Sequence, residues 1–158
     1  MSSACCSPSP VTVASAKFHV ALNVADLGRS VNFYRLLLGC EPAKHRRDYA
    51  KFEIADPPLV LSLNPGMPAG SGALNHFGLR VPSSEILVAI QRRLELGGIR
   101  TRREDGVACC YALQTKFWVA DPNETLWEIY VLHEDIDDHG HAAVPTAGEL
   151  AALNRRRL

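Results

Sequence analysis

The sequence predicts an α+β fold of two βαβββ modules in tandem, whose strands form a cupped mixed sheet with the helices outside. The prediction rests on a repeat. The motif His-x-small-Leu-x-Val occurs at residues 19–24 and again at residues 76–81, so its two histidines are 57 positions apart. In both copies a polar turn, an amphipathic segment and three short strand candidates follow. One module alone would expose a face of its sheet, whereas two together can curve into a cup.

The first module covers residues 17–64 and begins with a strand of alternating character. Its apolar residues define a face that packs on a helix, and the residues between them, which include His19, face the cup. Apolar residues at three- and four-residue spacing predict a helix over residues 27–39, which ends at a glycine. Three strands are expected after it, near residues 42–46, 49–54 and 59–64.

The second module covers residues 75–132 and repeats this order. A helix is predicted over residues 83–98, with strands near residues 99–103, 111–119 and 125–131. In both modules the last two strands are joined by the turn sequence Ala-Asp-Pro. The second module carries eight more residues than the first between its histidine and this turn. The stretch "REDGVACC" lies among them, and we expect a polar loop that hangs over the mouth of the cup.

The ends of the chain and its composition restrict the class of protein. Residues 1–16 are expected to be a disordered Ser/Pro/Cys tail, and residues 133–158 a polar tail with a short C-terminal surface helix. The formal net charge is zero and no basic face is evident, which argues against nucleic acid as a partner. No apolar run approaches the ~20 residues of a membrane span, and the N-terminus lacks the features of a secretory signal. We therefore expect a cytoplasmic protein with reduced thiols, and homodimerisation is left open.

Three good metal ligands fall on the predicted cup face. His19 and His76 occupy equivalent positions of the repeat, and Glu128 shares their face in the last strand of the second module, where Ser62 takes its place in the first. Two imidazoles and one carboxylate with vacant positions suit an iron(II) that holds a substrate and O₂ together. Zinc, manganese, nickel or cobalt could bind the same atoms. A lone histidine in a strand is more often a hydrogen-bonded structural residue, but the repeat favours a metal site.

Two cysteines, Cys109 and Cys110, stand side by side in the second module. Neighbouring Cα atoms lie about 3.8 Å apart, which is shorter than the ~4.4–6.8 Å of an ordinary disulfide, so we expect two thiols. A trivalent organoarsenical has two exchangeable hydroxyls that two thiols can replace, and soft thiolates select such soft centres. The pair is thus a hypothetical clamp for arsenic. Taken alone, however, the pair is better explained as two half-buried small apolar residues.

The repeated His-x-small-Leu-x-Val motifs and the segment "WVADPNETLWEIYV" resemble the vicinal oxygen chelate superfamily over residues 17–132. Within it, "CCYALQTKFWVADPNETLWEIYVL" resembles the non-haem iron carbon–arsenic lyases, which are grouped with cadmium-induced proteins. This resemblance implies an arsenic-resistance enzyme that cleaves methyl- or aryl-arsenic(III) with O₂ and releases arsenite. It also implies site residues: the catalytic iron(II) ligands His19, His76 and Glu128, and the substrate-binding residues Cys109, Cys110 and Lys116.

Two other functions remain open. One is a resistance protein that binds cadmium or arsenite without catalysis, for which the cysteine pair is again the support. The other is a different metal-dependent dioxygenase or glyoxalase-like enzyme on the same cup, although a four-ligand glyoxalase-like site would require glutamate or glutamine in place of Ser62. A second thiol pair, Cys5 and Cys6, lies in the N-terminal tail. It is interpreted either as part of a disordered segment or as an accessory metalloid-binding pair.

Overall fold

The computed structural model describes residues 16–68, 72–109, 111–140 and 142–155. The Cys5–Cys6 pair therefore lies outside the described residues. In chain order the elements are β1 (Phe18–Val24), α1 (Leu27–Leu38), β2 (Lys44–Arg46), β3 (Tyr49–Ile54), β4 (Leu59–Pro65), β5 (Phe77–Arg80), α2 (Ser84–Leu96), β6 (Arg102–Cys109), β7 (Ala112–Ala120), β8 (Leu126–Asp135) and α3 (Ala147–Arg155).

Each module forms one four-stranded mixed sheet. The strand orders are β1-β4-β3-β2 and β5-β8-β7-β6, so the two sheets have the same topology. In each, the first and last strands of the module run parallel and the other neighbours run antiparallel. The predicted fold class, an α+β fold of two βαβββ modules, is confirmed.

Both module helices begin and end close to the predicted positions. Asp26 caps α1, and its carboxylate accepts a hydrogen bond from the backbone N–H of Arg29 at 2.9 Å. Gly39 ends this helix with a φ of 72°, which glycine adopts without steric cost. Ser83 caps α2 in the same way. At 13 residues α2 is the longest described helix, and no described helix is long and apolar enough to cross a membrane.

One hydrophobic core is shared by both modules. The helix-facing residues of both sheets and the apolar stripes of α1 and α2 belong to the same buried cluster. The predicted alternation is therefore confirmed, except that Phe18, at the start of the edge strand β1, is 70% exposed. Because both sheets turn one face toward this common core, their opposite faces point away from it. This arrangement decides which site residues meet in a single chain.

The segment expected to be a polar loop is a strand. Residues 102–109 form β6, which has eight residues against three in the equivalent strand β2 of the first module. The strand predicted near residues 99–103 thus begins three residues later. The extra residues of this module lengthen the β6–β7 hairpin, with a register shift between Glu104 and Val107. β6 and β7 are joined by two residues, and Tyr111 has the positive φ, 63°, that tight hairpin turns require.

The predicted C-terminal helix is present as α3, and one face of it packs against the protein. Thr146 caps α3, and its hydroxyl and the Glu149 carboxylate bond reciprocally to backbone N–H groups of the first turn. Leu150 is 1% exposed and packs in a second cluster with Trp118, Ala120 and Leu126. Alternation in the sequence predicts only that one face of the second sheet is polar. It does not predict that α3 covers part of that face.

Candidate functional site

The strand register confirms the equivalence of the predicted ligand positions. Ser62 pairs with Ala21, two residues after His19. Glu128 pairs with Gly78, two residues after His76. The serine and the glutamate therefore occupy the same place in the two sheets, as the repeat predicts.

His76 and Glu128 lie together on the outer face of the second sheet. The Nε2 atom of His76 is 3.5 Å from Oε2 of Glu128, and the glutamate side chain is 12% exposed. The other carboxylate oxygen, Oε1, accepts a hydrogen bond from the ammonium of Lys116 at 2.9 Å. One oxygen of the carboxylate is thus held by a lysine, while the other is directed at a histidine.

Lys116 is buried, and its charge is stabilised by its neighbours. Its side chain is 1% exposed in the centre of β7. Burial lowers the pKa of Lys116, but the hydrogen bond and charge of Glu128, aided by Cys109, outweigh that effect and raise the pKa overall. The lysine therefore stays protonated at neutral pH.

Trp118 is a site residue that sequence reasoning missed. The Lys116 ammonium lies 5.0 Å from the Trp118 ring centroid, and the His76 ring meets the indole edge-to-face at 5.1 Å. These contacts orient both polar groups beside Glu128. The signal was available in the alternation of "TKFWVA", because residues 116 and 118 project from the same face of β7.

His19 is not in this group. Its Nε2 atom lies 3.0 Å from the hydroxyl of Ser62, which also pairs with the hydroxyl of Tyr49 at 2.9 Å. Among the described residues, no three His, Cys, Asp or Glu side chains are close enough to hold a metal ion. The expectation that His19, His76 and Glu128 share one cavity therefore fails for a single chain, because the outer faces of the two sheets point away from their common core.

His76 and Glu128 offer donor atoms that iron(II) accepts. An imidazole nitrogen and a carboxylate oxygen 3.5 Å apart are suitable neighbouring ligands for a first-row metal, and Lys116 leaves the relevant oxygen of Glu128 free. His76 and Glu128 thus fit two of the three predicted positions. The third expected donor, His19, lies on the first sheet beside Ser62.

Cys109 lies on the same outer face as Lys116. It ends β6, pairs with Ala112 on β7 and is 4% exposed. Its sulfur is 3.9 Å from the backbone carbonyl of Ala142, and Cys109 contributes to the raised pKa of Lys116. The structure therefore links this cysteine to the His76–Glu128 pair through one lysine. Cys110 lies outside the described residues, so the geometry of the predicted thiol pair stays a prediction.

The chain matches a known protein family and several of its members. The model of the Glyoxalase/Bleomycin resistance protein/Dioxygenase superfamily matches residues 18–129. A cadmium-induced protein CadI of Mycobacterium tuberculosis is 43% identical over 127 residues, covering 79% of this chain and 82% of that protein. A trivalent organoarsenical cleaving enzyme of Thermomonospora curvata is 43% identical over 122 residues, covering 77% and 81%.

Solved structures agree on the fold. A glyoxalase/bleomycin resistance protein/dioxygenase from Alicyclobacillus acidocaldarius superposes with a TM-score of 0.59 at 20% identity, covering 78% of this chain and 96% of that chain. The fosfomycin resistance protein FosX from Listeria monocytogenes gives a TM-score of 0.57 at 20% identity, covering 73% and 92%. The repeat, the paired sheets and the family match agree, and the chain belongs to the Glyoxalase/Bleomycin resistance protein/Dioxygenase superfamily.

Proposed function

We propose that this protein cleaves the carbon–arsenic bond of trivalent organoarsenicals, with iron(II) and O₂, and releases arsenite. One observation carries the proposal. A soft ligand, Cys109, and a hard ligand pair, His76 and Glu128, meet around Lys116 on one face of the second sheet. Relatives named trivalent organoarsenical cleaving enzyme, which are 39–43% identical to this chain, support the same chemistry.

The thiols of Cys109 and Cys110 would hold the substrate. Two As–S bonds form and two As–O bonds break, and the two thiol protons leave with the displaced hydroxyls as water. Arsenic keeps its oxidation state and its carbon substituent in this step. Sulfur binds arsenic as the thiolate, and the Lys116 ammonium beside Cys109 would pair with that sulfur. We place this exchange in the cytoplasm, where thiols stay reduced.

His76 and Glu128 would hold the metal together with His19. Iron(II), when bound, would supply an open coordination position at which O₂ can react close to the substrate. Because His19 lies on the other sheet of its own chain, we propose that a second copy provides it. The outer face of the first sheet of one copy would then lie against the outer face of the second sheet of the other, which gives two shared sites in a symmetric dimer.

Lys116 has a positioning role in this account. Its hydrogen bond to Oε1 of Glu128 fixes the carboxylate so that Oε2 is directed at His76. Its ammonium also balances the carboxylate charge when the metal is absent. A neutral residue of similar size would leave that carboxylate without its closest cation.

A second function has specific support. Relatives that share 43% identity are named cadmium-induced protein, and a cysteine buried beside a lysine could serve a protein that only binds soft metals. Such a protein would bind an arsenical stoichiometrically and return it unchanged. The two functions therefore differ in the fate of the arsenic compound.

The test is arsenic speciation after incubation of the reduced, iron(II)-loaded protein with methylarsenic(III) or a phenylarsenical. The lyase proposal predicts inorganic arsenite in amounts that exceed the protein, and a loss of this product when O₂ is withheld. Recovery of unchanged arsenical at one equivalent per chain, in air and with both substrates, would instead establish the binding protein.

A further inference from the structure

The C-terminal segment crosses the tip of the β6–β7 hairpin, where β6 ends at Cys109. We name residues 136–140 and 142–147 the C-terminal strap. The backbone N–H of Ile136 donates to the carbonyl of Tyr111 at 2.8 Å, and Gly140 forms an isolated antiparallel bridge with Cys109. The rings of Tyr111 and His139 meet edge-to-face at 5.2 Å. The strap thus holds the hairpin on both sides of residue 110.

Gly140 allows the strap to approach this closely. Its φ is 73°, and a Cβ atom at this position would overlap the carbonyl oxygen of Ala108 and lie 2.8 Å from the backbone nitrogen of Cys109. Any side chain would therefore push the strap off β6. The far end of the strap is anchored as well, because it leads into α3, whose Leu150 is buried against Trp118.

The strap sets the surroundings of the Cys109 thiol. The sulfur lies 3.9 Å from the carbonyl of Ala142, which belongs to the strap, and it also interacts with the Lys116 ammonium. Lys116 in turn binds Glu128. Displacing the strap would free the hairpin tip and change the distance from the thiol to the lysine and to the paired histidine and glutamate.

We propose that the C-terminal strap, through Gly140, positions the Cys109 thiol for binding trivalent arsenic. The inference rests on the proposed function in that Cys109 is taken as an arsenic ligand. A thiol already fixed in place loses less conformational freedom on binding than one on a free hairpin tip. Gly140 has no side chain and contacts β6 only through backbone atoms, so it acts as a positioning residue.

The direct test is Gly140→Ala, with phenylarsine oxide as the probe. The dissociation constant of phenylarsine oxide should rise about tenfold in this variant, because binding must then order a thiol that the strap no longer holds. Affinity for iron(II) should stay unchanged. Gly98→Ala is the matched control, since Gly98 also has a positive φ, 83°, but a Cβ there meets nothing within 4 Å. This control should bind the arsenical like the parent, and an equal loss in both variants would overturn the proposal.

If Gly140→Ala does not fold, two milder variants at His139 test the same role of the strap. His139→Ala removes the ring that packs on Tyr111 and should weaken phenylarsine oxide binding, whereas His139→Phe keeps a ring there and should restore it. Unchanged affinity in His139→Ala, or in folded Gly140→Ala, would overturn the positioning role.

Cys109→Ser separates this inference from the proposed function. If Cys109→Ser abolishes binding while the strap variants bind normally, the strap proposal alone fails. Unaltered binding in Cys109→Ser would remove the thiol from the site, and both proposals would fail together.

Discussion

Lys116 donates to Oε1 of Glu128 at 2.9 Å while Oε2 of the same carboxylate lies 3.5 Å from His76. The carboxylate therefore contacts an ammonium through one oxygen and an imidazole through the other. The lysine is nearly inaccessible, at 1% exposure, so the pair is formed in low dielectric, where losing one partner is costly. A hydrogen-bonded ligand of this kind keeps its orientation before any metal arrives.

Lys116→Met should destabilise the protein by about 3–5 kcal/mol at pH 7, because Glu128 keeps a charge without its closest cation. The raised pKa of Lys116 gives the pH dependence. The contribution is fully present below the unfolded lysine pKa of about 10.4 and is lost as pH rises through the folded value. Urea unfolding of parent and variant should therefore show a constant difference between about pH 7 and 9 that shrinks above about 10.4.

The matched control for that variant is Lys17→Met. Lys17 pairs with Glu53 at 2.7 Å, but both side chains are more than a third exposed. Water screens this pair, so its loss should leave stability almost unchanged. Equal losses in the two variants would show that burial of the Lys116–Glu128 pair has no special effect.

Glu128→Gln should reduce affinity for iron(II) by at least about 100-fold, measured by anaerobic titration. Mutating a residue that only orients a metal ligand already lowers metal affinity ~10–100-fold, and mutating a direct ligand should lower it at least as much. Glu85→Gln, on the exposed first turn of α2 and outside both outer sheet faces, is the control and should bind iron(II) like the parent. Parent-like iron(II) affinity in Glu128→Gln would remove this residue from the metal site.

Mixing His19→Ala with Glu128→Ala tests whether two chains share each site. Both variants should be inactive alone. In a randomly reassembled mixture half of the dimers are mixed, and each of these carries one intact site, so about a quarter of the parent arsenite-releasing activity should return. An inactive mixture in which mass spectrometry detects mixed dimers, or a parent chain that is monomeric in solution, would show that His19 does not act across an interface.

Leu150→Ala should destabilise the protein by about 2–4 kcal/mol, because the side chain is buried against Trp118 and its removal leaves a cavity. Hydrogen exchange should locate the loss in α3 and the C-terminal strap. Leu96→Ala is the control, since Leu96 is 79% exposed at the end of α2. A similar loss of stability in both variants would mean that α3 is not docked through Leu150.

Much of the fold was predictable because the internal repeat indicates two modules of the same topology. The equivalence of Ser62 and Glu128, inferred from the repeat and from alternation, appears in the register of both sheets. Alternation tells which face a residue occupies, but not how two sheets sit relative to each other. For this reason the strand position of His19 was predictable, but its separation from His76 within one chain was not.

The two remaining errors have different causes. The length of β6 was missed because the first half of "REDGVACC" is polar and a glycine lies at the register shift, which composition cannot distinguish from a loop. The packing of α3 was missed because its contact depends on Trp118, a residue 32 positions earlier that also faces the predicted site. Long-range pairs of this kind leave no periodic signal in either segment.

The most direct test of the central claim is single-turnover arsenite release from a bound phenylarsenical, with parent and Glu128→Gln compared under iron(II) and air. The parent should release one arsenite per arsenical bound. The variant should bind the arsenical through its thiols as tightly as the parent and release none. Equal arsenite release by the two proteins, or bound arsenical that the parent returns unchanged, would contradict the account.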